Sequence, residues 1–364
     1  MSPRRFIFSI GSLLAVGIAA LAVAADDPKS PDASAPPAPV ASGPAAEAKP
    51  LSLSDTITKG IRNVTDKASH AVCVVEADDE HGKLAGSGFL LDADGTVVTT
   101  QALGTASDDL TVTLGEQTYA AKRLVADSRS GIALLKIHAD EPLPFLKAGK
   151  AMALEVGIPV VALGYPLGLP LSPSFGVVAG FNSGFQGRYF ATRHVRVNAC
   201  IQRGEGGAPL LNMDGEVVGV LISSVDGGSG LFALPIEAVE KVLHDYRTYQ
   251  RVRPGWLGAD VRITDAPEGG SNARLRALRS DGPGAKGKLR AGDVLLQIGR
   301  WKITSPDDVY NAAFYITASE PLEVKVSRAG KVRLLTIVPS DPPDGAEPKI
   351  YREEPTYLGA ADGK

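Results

Sequence analysis

From residue 71 onward, short apolar runs alternate with turns. Ala71–Ala77, Leu84–Leu91, Thr96–Thr100, Leu110–Leu114, Thr118–Val125 and Ile132–Ile137 read as strands. A second group follows: Pro159–Leu163, Phe175–Ala179, His194–Cys200, Pro209–Leu211, Val217–Ser223 and Leu231–Leu234. Two groups of six short strands with few helices between them predict an all-β body, either a sandwich or paired barrels. The period then changes. In Pro235–Tyr249 a proline opens the segment, and Ile236, Val239, Leu243 and Tyr246 share one helical face. An earlier helix is expected with Ser54 as its cap and Ile57, Ile61, Val64 and Ala68 on one side.

Beyond the long helix a smaller mixed α+β segment is expected. Its strands fall near Gly258–Ile263, Leu275–Leu278, Asp293–Ile298, Leu322–Ser327 and Leu334–Val338. Its helix fits Pro306–Tyr315, with Ser305 and Asp308 placed for a capping box.

Both ends of the chain break this pattern. Arg4 and Arg5 precede an apolar run from Phe6 to Val23, and Ala22-Val23-Ala24 supplies small residues for cleavage. This reads as an export signal over 1–24, cleaved after Ala24, with an uncleaved membrane anchor as the alternative. Residues 25–50 hold seven prolines among Ala, Ser, Asp and Lys. They bury too little apolar surface to offset their ordering entropy, so 25–53 is expected to be a disordered linker. The tail 340–364, rich in Pro, Gly and acid, is expected to be disordered as well.

Composition narrows the function. A net charge of -3 carries no basic footprint, so nucleic acid is not an expected partner. The two cysteines, Cys73 and Cys200, sit in apolar strand-like runs and read as buried free thiols, with a pairing left open. The five histidines, 70, 81, 138, 194 and 244, form no close ligand pair, so no metal site or cofactor is expected. Each reads as a surface or interface histidine.

Several motifs occur in a telling order. Gly86-Ser87-Gly88-Phe89 is followed by Asp94-Gly95, then Ala133-Leu134-Leu135-Lys136, then Gly164-Tyr165-Pro166-Leu167-Gly168. Gly204-Glu205-Gly206-Gly207-Ala208-Pro209-Leu210 comes next, then Gly215–Gly219 and Phe232-Ala233-Leu234-Pro235. Gly255-Trp256-Leu257-Gly258 and Arg290-Ala291-Gly292-Asp293-Val294 complete the series. The ordered set resembles the exported HtrA (DegP-like) serine proteases over residues 60–338. The resemblance implies a mainly β fold, a chymotrypsin-like double barrel over 54–250 and a PDZ domain over 251–339.

Triad hydrolysis needs a hydroxyl, an imidazole and a carboxylate. By resemblance those positions are Gly206, Ala102 and Gly131, and none carries its group. The chain is therefore expected to be an inactive homologue, a pseudoprotease that binds peptides or unfolded protein as scaffold, chaperone or regulator. Gly204, Glu205 and Gly206 would remain as the oxyanion loop, with the Glu205 charge pointing outward toward Arg203. Two alternatives stay open: an active periplasmic endopeptidase of protein quality control using non-standard residues, such as Glu205 or Cys200, and a structural subunit of an HtrA-like assembly. A homotrimer, or a complex with active relatives, belongs to the last reading, although the first helix has no aromatic residue for a trimer contact.

By the same resemblance, protein C-termini would bind the PDZ domain by strand addition. Trp256, Leu257, Gly258 and Ala259 would form the carboxylate loop, Val261 and Ile263 would lie on the pairing strand, and Val309, Tyr310 and Ala313 would form the far wall. Lys288 and the Gly299-Arg300 turn depart from the family pattern.

Overall fold

The computed structural model describes residues 52–79, 82–185, 188–224 and 230–343. The expected signal, nearly all of the linker, most of the tail and His81 lie outside them.

The first six strands are β1 (Val72–Asp79), β2 (Gly82–Leu90), β3 (Thr96–Thr100), β4 (Leu110–Leu114), β5 (Gln117–Asp127) and β6 (Ile132–Lys136). They close into a barrel in the order β1-β2-β3-β6-β5-β4. The second barrel comprises β7 (Pro159–Gly164), β8 (Ser172–Phe185), β9 (Arg188–Val197), β10 (Pro209–Leu211), β11 (Val217–Ser224) and β12 (Leu231–Pro235), ordered β10-β11-β12-β9-β8-β7. The fold is thus mainly β with a chymotrypsin-like double barrel. The two groups of six strands fall where the sequence pattern places them, although β8 and β9 extend beyond their apolar centres.

Alternation explains why the strands read as unbroken apolar runs. Val97 and Leu135 fill the first barrel, whereas their neighbours Val98 and Leu134 point into the core between the barrels. Val160 and Ala162 fill the second barrel, while Val161 and Leu163 join the shared core. Successive side chains face opposite sides of a strand, and here both sides are buried.

Helix α1 (Leu53–Ala68) and helix α3 (Ile236–Tyr249) pack on that shared core; the short α2 (Gln101–Gly104) lies between them in sequence. Val64 and Ala68 of α1 are buried there, but the cap is Ser52, whose side chain accepts from the Asp55 amide, rather than Ser54. In α3, Ile236, Val239 and Val242 enter the core. Glu237, Lys241 and Asp245 are buried as well, which the apolar pattern does not signal. No helix among the described residues is long and apolar enough to cross a membrane.

A third sheet follows, with β13 (Ala259–Glu268), β14 (Ser271–Leu278), β15 (Val294–Ile298), β16 (Trp301–Lys302), β17 (Leu322–Arg328) and β18 (Lys331–Ile337). Its order is β13-β14-β15-β17-β18, so β13 is an edge strand. The short α4 (Pro283–Lys286) and α5 (Pro306–Phe314) accompany it. Asp308 accepts from the Ser305 amide at 2.9 Å, which closes the first turn of α5. The outer end of α5 rests on β9: Asn311 Oδ1 accepts from Thr192 Oγ1 (2.7 Å) and from the Arg193 amide (2.9 Å).

Two side-chain expectations are corrected. Both cysteines are free, but only Cys73 is buried, because the chain has left β9 before it reaches exposed Cys200. His194 is no surface histidine. It is 3% exposed, stacks on Phe190 and donates Nδ1–H to the Thr192 carbonyl. Burial pushes its imidazolium down to about 4 from 6.5, the Thr192 bond opposing. Below pH 6.5 the unfolded chain takes up a proton that the native chain refuses. Stability should therefore fall by about 3 kcal/mol as pH drops through this window. Urea titrations of wild type and His194→Phe check it, since the variant lacks this part of the slope.

Candidate functional site

The three positions that the resemblance assigns to a triad, 102, 131 and 206, come together. Thr100 ends β3 and caps α2 through its side chain, which places Ala102 on the exposed side of that short helix. The Gln101 amide donates to the Gly131 carbonyl at 2.7 Å, which fixes the second position beside the first. A Cβ on Gly206 would lie 3.4 Å from Thr100 Cγ2, so the third position faces the same strand end.

The loop carrying Gly206 is clasped from two sides. Ser87 Oγ donates to the Gly204 carbonyl (2.7 Å) and accepts from the Tyr165 amide (2.9 Å). The Ser87 amide donates to the Gly206 carbonyl (3.0 Å), and the Leu167 amide to the Arg203 carbonyl (2.6 Å). The Gly86–Gly88, Gly164–Gly168 and Gly204–Leu210 motifs are thus parts of one construction. Two glycines are obligatory in it. Gly204 (φ +94) and Gly207 (φ +88) are left-handed, and a Cβ there would stand 2.6 Å from the Tyr165 carbonyl oxygen and 2.2 Å from that of Ser87.

The clasp leaves two backbone donors uncommitted. Glu205, Gly207 and Ala208 give their amides to the carbonyls of Gln202, Leu221 and Glu205. Among the described residues the amides of Gly204 and Gly206 find no acceptor. Apolar side chains stand exposed nearby: Leu167, held at a left-handed φ of 52°, and Leu169 beyond it. A leucine seldom adopts that conformation, and such strain gathers at functional sites.

Glu205 does not point outward. It is 2% exposed and turns inward to accept from the Gln202 amide, because that amide would otherwise be left open in the turn. Burial raises its carboxyl pKa and the Gln202 bond lowers it. It is a turn lock. Cys200 is exposed six residues before Gly206.

Sequence reading missed the support of the Gly131 loop. Ser130 Oγ donates to Asp127 Oδ2 (2.7 Å), and the amides of Arg129 and Ser130 donate to the same carboxylate. The D-x-x-S spacing of a turn was the available signal. Arg129 also reaches the Phe314 ring of α5, 5.1 Å from its centroid.

The expected peptide-binding residues are also gathered. Leu257, Ala259, Val261 and Val309 pack on one core cluster, which makes them partly structural. Ile263 stands 58% exposed on edge strand β13, while Tyr310 and Ala313 of α5 are half-buried. Gly258 (φ +69) lies over the Trp256 ring, and the Trp256 amide donates to Ser340 instead of into the loop. The amides of Leu257 and Gly258 find no acceptor among the described residues.

Comparison with known proteins agrees with this construction. Residues 86–220 match the trypsin-like peptidase domain. A probable periplasmic serine endoprotease DegP-like of Halomonas elongata is 32% identical over 304 residues, covering 79% of this chain and 63% of that protein. The chain belongs to the HtrA/DegP-like family. A second DegP-like protein, from Pseudomonas fluorescens, is 31% identical over 258 residues, covering 68% of this chain and 54% of the relative. The chain therefore spans less than two thirds of the curated relatives it matches. Among solved structures, the HtrA-type protease AlgW with tripeptide superposes at a TM-score of 0.64 and 23% identity, covering 79% of this chain and 99% of its own. The serine endoprotease of Yersinia pestis superposes at 0.55 and 21%, covering 78% and 98%.

These names correct the expectation of a non-enzyme. The quoted HtrA/DegP-like relatives are named serine endoproteases, which points to a protease rather than a non-enzyme. The expectation rested on the three side chains at 102, 131 and 206 alone. The relatives are also named periplasmic, which supports that location.

Proposed function

We propose that this chain acts on polypeptides as a periplasmic endopeptidase of protein quality control that works without a side-chain nucleophile at position 206. The observation carrying this is the clasped loop, whose Gly204 and Gly206 amides find no acceptor among the described residues. Two such donors hold the carbonyl oxygen of an extended segment and stabilise charge as water attacks. Binding and an oxyanion hole alone are worth about 10³–10⁴ over uncatalysed hydrolysis. Exposed Leu167 and Leu169 supply apolar contact for unfolded substrate. The export signal over 1–24 is part of this reading. Incubating the mature chain with unfolded casein tests it. Slow cleavage that persists in Cys200→Ala is expected; no cleavage above the buffer blank contradicts it.

A second polypeptide site, of PDZ type over 251–339, is favoured by the open edge of β13 beside α5. A peptide C-terminus would add a strand there, its carboxylate received by the Leu257 and Gly258 amides. The structurally similar AlgW is described with a tripeptide and with a decapeptide. Calorimetric titration with apolar C-terminal peptides should show binding that Gly258→Pro removes. Equal affinity for amidated peptides would sink the carboxylate role.

A further inference from the structure

A cavity of about 380 Å³ lies outside both sites, where α3 meets the third sheet and the end of α5. Glu237 and Glu240 of α3, Arg300 and Trp301 from the β15–β16 turn, and Tyr315 line it. Arg300 belongs to the Gly299-Arg300 turn that departs from the family pattern.

Its polar groups are incompletely used. Glu237 is 6% exposed; its Oε1 accepts from the Met152 amide (3.1 Å), while Oε2 is buried with no partner. The buried Trp301 Nε1 has none either. Buried polar groups are nearly always satisfied, so an orphaned acceptor and an orphaned donor in one wall call for a ligand that supplies both counterparts. Arg300 is exposed and makes no ion pair among the described residues. Its guanidinium lies 5.2 and 5.4 Å from the Trp301 and Tyr315 ring centroids. Those rings stack at 4.4 Å and fix it beside the cavity. The other ionic groups of the wall are committed, Lys241 to Asp245 and His244 to Glu320. Burial, then the Glu237 charge, pushes the Glu240 carboxyl upward, against Arg300.

We propose that this cavity binds a compact zwitterion of the amino-acid type, a free amino acid or dipeptide. Its ammonium faces Glu237 Oε2 and Glu240, and its carboxylate faces the Arg300 guanidinium and the Trp301 indole N–H. An internal polypeptide segment carries neither charge and is excluded. The volume lies at the small end of ligand sites, which suits one or two residues.

Tryptophan fluorescence tests this, because Trp256 and Trp301 are the two tryptophans in the chain. In full-length Trp256→Phe protein, leucine and glycyl-leucine should give a saturable change in Trp301 emission. Butylamine, propionate and N-acetyl-leucine amide should give none. Arg300→Gln and Glu237→Gln should each weaken binding at least about tenfold. The Arg300 variant alters an exposed side chain, so it stays informative if the Glu237 variant is unstable. The proposal is overturned if no zwitterion saturates, if a singly charged probe binds equally well, or if Arg300→Gln leaves the affinity unchanged.

Discussion

The triple variant Ala102→His, Gly131→Asp, Gly206→Ser is expected to hydrolyse casein up to about 10⁴-fold faster than the wild type. Position 206 takes a serine without displacement, since its new Cβ would meet only Thr100 Cγ2 at 3.4 Å. Position 102 lies on the exposed side of α2, where an imidazole has room. Position 131 is the expensive one. Gly131 has φ +78, and its Cβ would stand 3.2 Å from Ile222 Cγ2. Aspartate tolerates a left-handed backbone better than most residues, at a cost. A native triad is worth about 10⁶ in turnover, and a small misplacement costs about 10² or more. The difference between those effects sets the expected gain. Triad members act as a unit, so each single substitution should do little. Initial rates on labelled casein check the prediction; a gain below tenfold would show that the three positions are not co-oriented.

The largest expected loss of stability comes from Asp245→Ala. Asp245 is fully buried in α3 and receives Lys241 Nζ, the Arg253 amide (2.7 Å) and Thr317 Oγ1 (3.0 Å). It joins α3 to the start and the middle of the third-sheet region. Its removal strands the Lys241 ammonium, only 7% exposed at its side chain, with two further donors. Burial already lowers the Lys241 pKa, and the Asp245 bond opposes that. Breaking a buried pair from one side costs about 3–5 kcal/mol. Chemical denaturation should show that loss, and Lys241→Met in the same background should recover part of it by removing the stranded charge.

Apolar patterning placed the twelve barrel strands because both faces of most of them are buried, so their signal is continuous. Glycine-rich motifs marked the site because close approach permits nothing larger, as at Gly207 against the Ser87 carbonyl. Other features carried no such signal. Ser87 reads as a small residue between glycines, yet its hydroxyl joins two loops. Glu205 reads as a surface charge because local sequence cannot show that the Gln202 amide turns back on it. Glu237, Lys241 and Asp245 break the apolar face of α3 and read as solvated. They are buried because segments distant in sequence meet them, Met152 at Glu237, and Arg253 and Thr317 at Asp245. Enzyme class was misjudged for a related reason. Side-chain identity is legible in sequence, whereas the Gly204 and Gly206 amides that carry the proposed chemistry belong to the backbone.

Ser87→Ala tests most directly whether the clasped loop presents the Gly204 and Gly206 amides to a polypeptide carbonyl. The substitution removes both bonds of the hydroxyl, to Gly204 and from Tyr165, and leaves every candidate nucleophile in place. Hydrolysis of casein and of an activated peptide ester should be compared in wild type and variant, at equal folded fraction. Slow wild-type turnover, about 10³–10⁴ above the uncatalysed rate, and a fall of at least about tenfold in Ser87→Ala are expected. Wild-type turnover no faster than the blank, or full activity in Ser87→Ala, would contradict that role of the loop.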